Sequence, residues 1–408
     1  MRLRGENIVC FAGEDWWYHN PHSKNHLMRV FARQGNRVLF LNSIGFRFPS
    51  VGDRSFAYRV GNKLRSLLRR PRWVEPNLLV ASPFLLPAYG KPALFALGWR
   101  LLLLQIKALF WRYGISQPIL WIGMPTAEPL VGHLGEKFVL YHYSDKFTAY
   151  DGVPQNVVAL HERLIREADL VVFAGRQLYA AEAHKNRNSV LLQHGVDLAH
   201  FGRARRPGRL PPDLRGIPRP IAGFWGELNY SVDQRLLERV ARELPQVSFV
   251  LLGQVKTDVS RLEALPNVHF LGQKRYEELP EYARGFDVCL IPLTVDHEYD
   301  RHRSPIKLRE YLATGRPVVS VRYPEVEPFA PHVFLAQTAR EFAQAVRLAL
   351  APKVARRWRE RVNLVRGDSW EVRADEIGGL IARLLAEKAG RKSETRLAAA
   401  PAPAEGVV

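Results

Sequence analysis

The sequence predicts an α/β protein built from two doubly wound, Rossmann-like domains that face a cleft. Short apolar segments typical of buried parallel strands alternate with amphipathic helices, first over residues 6–192 and again over residues 221–364. A chain of 408 residues is also long for a single core. Between the two blocks, a basic and proline-rich stretch at 203–219 has the composition of a linker. We therefore expect an N-terminal domain at 1–202 and a C-terminal domain at 220–367.

The N-terminal block begins with the strand ENIVCFA at 6–12, which enters a turn at Gly13. A helix at 22–34 and the strand RVLFLN at 37–42 follow after short links, and this order is typical of a parallel crossover unit. The other elements predicted in this block are strands at 78–81, 118–122, 138–143, 170–173 and 189–192 and helices at 92–113 and 157–167.

The C-terminal block repeats the alternation and ends in helices. Its predicted elements are strands at 221–225, 248–252, 268–271, 287–292 and 318–321 and helices at 233–244, 276–285, 306–314, 338–350 and 358–364. A last helix at 368–390 could pack back on the N-terminal domain. The tail at 391–408 is rich in alanine and proline and otherwise polar, so we expect it to be disordered.

A net charge of +19 bears on the partners of the protein. Basic residues cluster at 203–219 and at 59–72, and the second cluster is followed later in the chain by the apolar and basic helix at 92–113. A basic surface beside apolar side chains suits an anionic membrane. That helix is interrupted by Arg100, Lys107 and Arg112, so it is not expected to span a bilayer. No nucleic-acid-binding motif accompanies the charge, and solubility alone is the alternative explanation. Two separated cysteines and the absence of a signal sequence predict a cytoplasmic protein, peripheral to the inner face of the cell membrane.

The segment HRSPIKLREYLATGRPVVSVRYP at 302–324 carries the clearest chemical signal. Lys307 and Glu310 are three residues apart and share one face of the predicted helix. A helix N-terminus and a lysine attract a diphosphate, and a carboxylate accepts hydrogen bonds from ribose hydroxyls. An ion pair within a surface helix is the alternative interpretation.

Six segments, each at a predicted strand end or helix start, occur in a characteristic order. They are YHYSD (141–145), HGVDLAHF (194–201), GFWGELN (223–229), FLGQKRYEELPEY (270–282), FDVCLIPL (286–293) and SPIKLREYLATGRPVVS (304–320). With them, the chain resembles GT-B glycosyltransferases over roughly residues 6–390, most closely family 4-like enzymes and the xanthan glucuronosyltransferase type.

The resemblance implies the GT-B fold and transfer of a hexosyl or glucuronosyl group from a UDP- or GDP-sugar. The acceptor would be lipid-linked or a cell-surface polysaccharide, bound by the N-terminal domain, and neither a metal nor another cofactor would be needed. A nucleotide-sugar epimerase and a catalytically inactive scaffold that binds a partner enzyme are the alternatives. An oxidoreductase is disfavoured because no G-x-G-x-x-G follows the first strand.

The resemblance also assigns the donor-binding residues to the C-terminal domain. Gly226 and Glu227 would lie beside the diphosphate, where a glycine lets the backbone approach closely. Ser304, Lys307 and the start of their helix would bind its charge, and Glu310 would bind the ribose. The base would lie near two further side chains, Lys274 and Tyr276.

Asp145 is the expected catalytic base. Retaining family 4 enzymes carry two glutamates eight positions apart, and this sequence has Glu310 at the second position but His302 at the first. The inverting, glucuronosyltransferase-like alternative uses the aspartate of a Y-x-x-S-D phrase, which matches Asp145 here. That residue also follows a buried strand, where cleft residues of a doubly wound domain lie. His142 and Asp151 are the other candidates for the base, and a helix N-cap is the alternative role for Asp145.

The loop after the first strand, GEDWWYHN at 13–20, is aromatic and acidic. Such side chains stack on sugar rings and bind hydroxyls, so Gly13, Trp17 and His19 are the expected acceptor-binding residues. Packing of the tryptophans beneath the helix at 92–113 is the alternative. The acidic loop of Asp296, Glu298 and Asp300 is interpreted as solvated rather than as a metal site.

Overall fold

Two mostly parallel β-sheets form the frame of the described part of the chain. The computed structural model describes residues 2–18, 20–42, 61, 65–66, 69–85, 92–149, 153–296 and 298–398. The strands of the first sheet are β1 (Asn7–Phe11), β2 (Arg37–Leu41), β3 (Arg72–Glu75), β4 (Leu78–Ala81), β5 (Ile119–Ile122), β6 (Phe138–Tyr143), β7 (Leu170–Phe173) and β8 (Ser189–Leu191). The strands of the second sheet are β9 (Ile221–Trp225), β10 (Ser248–Leu252), β11 (Val268–Gly272), β12 (Val288–Ile291), β13 (Val318–Val321) and β14 (Val333–Ala336).

The strand order of both sheets reverses at one point. The first sheet has the order β3-β4-β2-β1-β5-β6-β7-β8, in which only the β3–β4 pair is antiparallel. The second has the order β11-β10-β9-β12-β13-β14 and is parallel throughout. In such sheets a ligand crevice opens beyond the carboxyl ends of the strands where the order reverses. Here those points lie between β1 and β5 and between β9 and β12, so the loops after β1 and β9 are placed to contact ligands.

Helices cover both faces of the sheets. In the N-terminal half they are α1 (Ser23–Arg33), α2 (Pro92–Tyr113), α3 (Gln155–Glu167), α4 (Arg176–Glu182) and α5 (Leu198–Gly202). In the C-terminal half they are α6 (Pro212–Arg215), α7 (Gln234–Glu243), α8 (Ser260–Glu263), α9 (Leu279–Gly285), α10 (Glu298–Arg301), α11 (Ile306–Thr314), α12 (Ala339–Ala349), α13 (Pro352–Ala355), α14 (Trp358–Leu364) and α15 (Trp370–Ala398). Helix α11 ends at Gly315, whose φ of 77° suits glycine and closes the helix.

The last helix, α15, crosses back to the N-terminal domain. Trp370, Ala374, Ile377 and Ile381 are buried in the same cluster as Phe31 of α1. Their spacing of four, three and four residues places these side chains on one face of α15, as expected for a helix that buries an apolar stripe. The C-terminal segment therefore joins the two domains through a hydrophobic contact as well as through the linker.

Two predicted boundaries need correction. Helix α15 continues through residue 391 to Ala398, so the tail predicted to be disordered begins as a helix. The sequence there contains alanine, arginine, lysine and glutamate, which all favour helix, and residues 399–408 lie outside the described part. The predicted linker is also ordered, because Leu214 is fully buried and Arg284 donates hydrogen bonds to the carbonyls of Arg203, Arg206 and Arg209.

Some elements were missed or misjudged from the sequence. Strand β3 lies at an edge with two exposed and two half-buried residues, so it lacks an apolar pattern. Strand β14 and helix α4 are short and were not predicted. Helix α11 was expected to bury one apolar side, but Arg309 on another side is buried as well and pairs with Asp368 at 2.9 Å.

Candidate active site in the cleft between the domains

A cavity of about 760 Å³ lies between the two sheets. The N-terminal domain contributes the loop after β1, the start of α1 and the residues after β6. The C-terminal domain contributes the loops after β9, β10 and β11 and the start of α11. Both points of strand-order reversal therefore open into the same cavity, which is the arrangement that brings two substrates together.

Lys307 lies directly against the backbone of Gly226. A Cβ atom on Gly226 would be 2.5 Å from Lys307 Nζ, and a Cβ atom on Gly253 would be 1.8 Å from the Gly226 carbonyl oxygen. The ammonium also lies 4.4 Å from the centroid of the Phe224 ring. Burial lowers the pKa of Lys307 to about 8, against the opposing effect of Glu310. The cavity wall therefore places a desolvated ammonium group beside the backbone of Gly226, a residue without a side chain that could block a ligand. This arrangement suits a phosphate group.

The N-terminus of α11 adds further positive potential at this wall. No side chain in the described ranges caps this helix, and the preceding residue, Pro305, has extended backbone. In the first turn, the Leu308 amide donates to the Pro305 carbonyl at 3.2 Å, which leaves the amides of Ile306 and Lys307 for an anion. Ser304 is buried beside the same turn. Arg303, which was not selected from the sequence, also lines the cavity and forms an ion pair with Asp300.

Glu310 is held in place by the strand that leads into the Gly226 loop. Its Oε2 accepts a hydrogen bond from Trp225 Nε1 at 2.8 Å, and the Trp225 backbone amide donates to the Tyr311 hydroxyl at 3.0 Å. Burial raises the pKa of Glu310 to about 7, although Trp225 and Lys307 favour its ionised form. The carboxyl group lines the cavity one turn after Lys307, where it can accept hydrogen bonds from ligand hydroxyls.

The remaining donor-side residues line the cavity in different ways. Tyr276 stacks on His200 with ring centroids 4.4 Å apart, and its buried hydroxyl has no hydrogen-bond partner among the described residues. Lys274 pairs with Asp213 at 2.7 Å. Glu227 forms an ion pair with Lys256, so this pair neutralises charge at the cavity edge. The structure thus brings together all seven residues that the sequence assigned to the donor.

The opposite wall carries a buried cation between two carboxylates. Lys24 of α1 pairs with Glu14 at 2.8 Å, and only 3% of the Lys24 side chain is exposed. A Cβ atom on Gly123 would lie 2.7 Å from Lys24 Cδ, so the glycine makes room for this side chain. Burial raises the pKa of Asp145, and the positive charge of Lys24 is the largest opposing influence. Glu14 Oε2 is buried and, within the described ranges, accepts no hydrogen bond.

Other candidates for the N-terminal site have different positions. His142 accepts a hydrogen bond from Trp121 Nε1 at 3.2 Å inside the sheet, away from the cavity lining. His194, the first residue of the HGVDLAHF segment, is buried in the cavity wall, where burial lowers its pKa to about 3. Asp151 lies outside the described residues.

The predicted acceptor loop lies only partly in the cavity. Gly13 lines it together with Tyr18, whereas Trp17 does not and instead lies under Arg69, whose guanidinium is 4.7 Å from the Trp17 ring. Trp16 packs edge-on against Phe40 rather than beneath α2. His19 lies outside the described residues, and its predicted role stays a prediction.

One group in the described part of the chain has the composition of a metal site. His161, Glu162 and Glu182 converge on the outer side of the N-terminal sheet, not in the cleft. Lys185 lies 2.8 Å from Glu162 and 3.1 Å from Glu182, so its ammonium already neutralises these carboxylates. Asp300, which was predicted to be solvated, is instead buried in α10, because it accepts a hydrogen bond from Thr294 Oγ1 at 2.8 Å and pairs with Arg303.

Comparison with known sequences shows that part of the C-terminal domain is similar to a known family. Residues 219–351 match the family described as Glycosyl transferases group 1. Over 236 residues the chain is 26% identical to the putative teichuronic acid biosynthesis glycosyltransferase TuaH of Bacillus subtilis (strain 168). That match covers 53% of this chain and 58% of TuaH, so it spans little more than half of the relative.

Solved structures share the architecture over nearly the whole chain. Sucrose-phosphate synthase from Thermosynechococcus elongatus has a TM-score of 0.69 and 18% identity, with 94% of this chain and 100% of that chain covered. HepE of Anabaena in complex with UDP has a TM-score of 0.62 and 13% identity, with coverage of 94% and 100%. A trehalose-6-phosphate protein from E. coli bound with UDP-2-fluoro glucose has a TM-score of 0.62 and 14% identity, with coverage of 93% and 99%. These findings confirm the fold predicted from the sequence.

Proposed function

We propose that this GT-B glycosyltransferase, whose C-terminal domain matches the glycosyl transferases group 1 family, moves a sugar from a nucleotide-sugar to a glycan acceptor. One observation carries the proposal. The half-buried Lys307 ammonium lies against Gly226 at the start of α11 and faces the same cavity as Asp145 of the other domain. A cation and helix N-terminus on one wall and a carboxylate on the other are what the transfer of a sugar away from a diphosphate requires.

The donor would bind with its diphosphate at Lys307 and its ribose at Glu310. Two of the structural neighbours are described as complexes with UDP or with UDP-2-fluoro glucose, which favours a UDP-sugar for this chain, with a GDP-sugar as the alternative. Tyr276 and Lys274 would flank the base, since both line the same cavity as Glu310. No step of this scheme uses a metal ion.

The reaction would be a single displacement. An acceptor hydroxyl oxygen bonds to the anomeric carbon while the bond from that carbon to the diphosphate oxygen breaks, and the nucleoside diphosphate leaves with the bonding electrons. Asp145 takes the hydroxyl proton, and Lys307 with the α11 amides stabilises the charge that develops on the diphosphate. A raised pKa makes Asp145 a stronger proton acceptor than an ordinary aspartate. Inversion at the anomeric carbon follows from this scheme.

The acceptor would be a lipid-linked or cell-surface polysaccharide, reached at the inner face of the cell membrane. The sequence match to a putative teichuronic acid biosynthesis glycosyltransferase supports a polysaccharide. Across the described residues, none of the helices combines the length and apolar character that crossing a bilayer requires.

Thermal unfolding with a panel of nucleotides tests the donor class. UDP or GDP should raise the unfolding temperature, and the matching nucleotide-sugar should release that nucleotide when membrane extract supplies the acceptor. Conversion of the nucleotide-sugar to another one without extract would instead indicate an epimerase. Nucleotide binding without release would indicate an inactive scaffold, and no shift with any nucleoside diphosphate would reject the proposal.

Lys307→Ala should weaken binding of the preferred nucleoside diphosphate. Loss of a charge-assisted contact of about 1.5–3 kcal/mol corresponds to roughly a tenfold to hundredfold rise in Kd by isothermal titration calorimetry. Because burial lowers the pKa of Lys307 to about 8, wild-type affinity should also decline as the pH rises above that value. The alanine variant should lose this pH dependence. Lys353→Ala, which removes an exposed ammonium on α13, is the matched control, and equal affinities for both variants would contradict the assignment.

A further inference from the structure

Helix α2 exposes a row of large apolar side chains to solvent. The exposed fractions are 41% for Leu94, 50% for Leu97, 43% for Leu101, 63% for Leu104 and 86% for Trp111. Their spacing of three, four, three and seven residues places them along one line of the helix, about 26 Å long at 1.5 Å per residue. We call these five residues the α2 stripe.

The opposite face of α2 explains why the stripe is not needed for folding. Trp99, Leu102, Ile106 and Phe110 are buried in the core of the N-terminal domain. The helix is therefore already anchored by one apolar face, and the stripe is a second apolar face left in solvent. Contiguous exposed apolar surface of this kind indicates a contact with another molecule or with a membrane.

Aromatic side chains extend the stripe at its middle and at one end. Phe84 is 46% exposed, and its backbone amide and carbonyl both hydrogen-bond to the side chain of Gln105 in the middle of α2, each at 2.9 Å. Trp73 is 48% exposed and contacts the edge of Tyr113 at the end of α2, with centroids 6.1 Å apart. Aromatic rings of this kind favour the boundary between water and lipid.

The charges beside the stripe are all positive. Arg100, Lys107 and Arg112 are exposed: Arg100 and Arg112 are adjacent in sequence to stripe residues, and Lys107 lies about one helical turn after Leu104. The sequence from Pro92 to Tyr113 contains no aspartate or glutamate. In a helix pair formed with a second copy, flanking residues face flanking residues, so cations would meet cations. Anionic lipid headgroups, in contrast, attract the same cations. Charge complementarity therefore favours an anionic membrane over a second copy of the protein as the partner of the stripe.

We propose that the α2 stripe is the face by which the protein docks on an anionic membrane surface. Helix α2 lies flat in the interface, with its leucines and Trp111 between the acyl chains and its cations at the headgroups. The inference deepens the proposed function, since it rests on the acceptor being reached at a membrane and names the surface that makes the contact.

Co-sedimentation of the full chain with vesicles tests the inference. The wild type should bind vesicles of equal parts phosphatidylcholine and phosphatidylglycerol, and bind phosphatidylcholine alone at least tenfold more weakly. The variant Leu97→Ser/Leu104→Ser/Trp111→Ser should lose at least tenfold in binding to the anionic vesicles. Leu348→Ser, which changes a leucine of α12 that is 52% exposed, is the matched control and should bind as the wild type does.

Three results would overturn the inference. The first is that the triple variant binds the anionic vesicles as tightly as the wild type does. The second is that the wild type binds neither kind of vesicle. The third is that light scattering shows the wild type to be a dimer and the triple variant to be a monomer. The last result would assign the stripe to a second copy. If UDP or GDP raises the unfolding temperature of the triple variant as much as that of the wild type, the variant is folded and still binds the nucleotide. A loss of vesicle binding can then be distinguished from a failure of the donor assignment.

Discussion

Asp145→Asn is expected to lower kcat by about 100-fold or more and to leave the Kd of the nucleoside diphosphate nearly unchanged. The substitution keeps the size of the side chain but removes its ability to take the acceptor proton. The proposed donor contacts, centred on Lys307 and Glu310, lie on the other wall of the cavity and should not be altered. Steady-state release of nucleotide, measured beside calorimetric binding, separates the two effects.

The pH dependence gives a second measurement on the same residue. Because burial raises the pKa of Asp145, the acid limb of the kcat/KM profile should lie at higher pH than an ordinary aspartate would give. Its ionisation also costs stability at neutral pH, since the folded protein holds the proton more tightly than the unfolded chain does. Asp145→Asn should therefore be at least as stable as the wild type at neutral pH, and this advantage should vanish at acid pH.

Two observations would remove Asp145 from the mechanism. One is an unchanged kcat in Asp145→Asn. The other is an equal loss of activity in Asp296→Asn, a matched variant of an exposed aspartate that does not line the cavity.

Lys24→Met is expected to lower the free energy of unfolding by about 3 kcal/mol at neutral pH. Removing one partner of a buried ion pair costs about 3–5 kcal/mol, because the other charge stays buried without compensation. We expect the lower end of that range because Glu14 and Asp145 border the cavity, where water can partly solvate their charges. Methionine keeps most of the volume beside Gly123, so the measured loss reports charge rather than a void. Denaturant unfolding followed by circular dichroism supplies the value.

The pH dependence of this loss can be worked out from the charges. Without Lys24, the carboxyl group of Asp145 loses the cation that favours its ionised form, so its pKa in the folded variant rises further. The folded variant then binds protons more tightly than the unfolded chain, and its deficit in stability should shrink as the pH falls. The double variant Lys24→Met/Glu14→Gln should recover part of the loss.

An exposed ion pair provides the control for this prediction. Arg242→Met removes the cation that pairs with Glu238 on the surface of α7, and it should cost less than about 1 kcal/mol. If Arg242→Met and Lys24→Met lower the free energy of unfolding equally, the buried ion pair of Lys24 contributes no more to stability than an exposed ion pair does.

The alternation of strands and helices was predictable because parallel strands covered on both faces are continuous apolar runs. FVLYHY became β6 and VVSV became β13, as the sequence indicated. The donor-binding wall could also be predicted from the sequence, because Ser304, Lys307 and Glu310 lie close to the start of one helix. Pro305 and Gly315 mark the two ends of that helix. Local spacing alone therefore indicated which side chains share that wall.

The opposite wall could not be predicted in the same way. Glu14, Lys24 and Asp145 come from three separate segments, and only the strand order brings them together. The hydrogen bond from Trp225 to Glu310 likewise joins residues 85 positions apart. The linker was misjudged because its prolines suggest a loop, whereas its contacts with Arg284 form only in the folded domain.

The central claim is that the start of α11 binds the diphosphate of the donor. A crystal structure of the protein with UDP, or with GDP if that nucleotide gives the larger thermal shift, tests it most directly. We expect a diphosphate oxygen within hydrogen-bonding distance of Lys307 Nζ and the amides that follow Pro305, with the ribose hydroxyls at Glu310. A nucleotide bound elsewhere, with Lys307 still packed on Phe224 and no phosphate beside Gly226, would contradict the account.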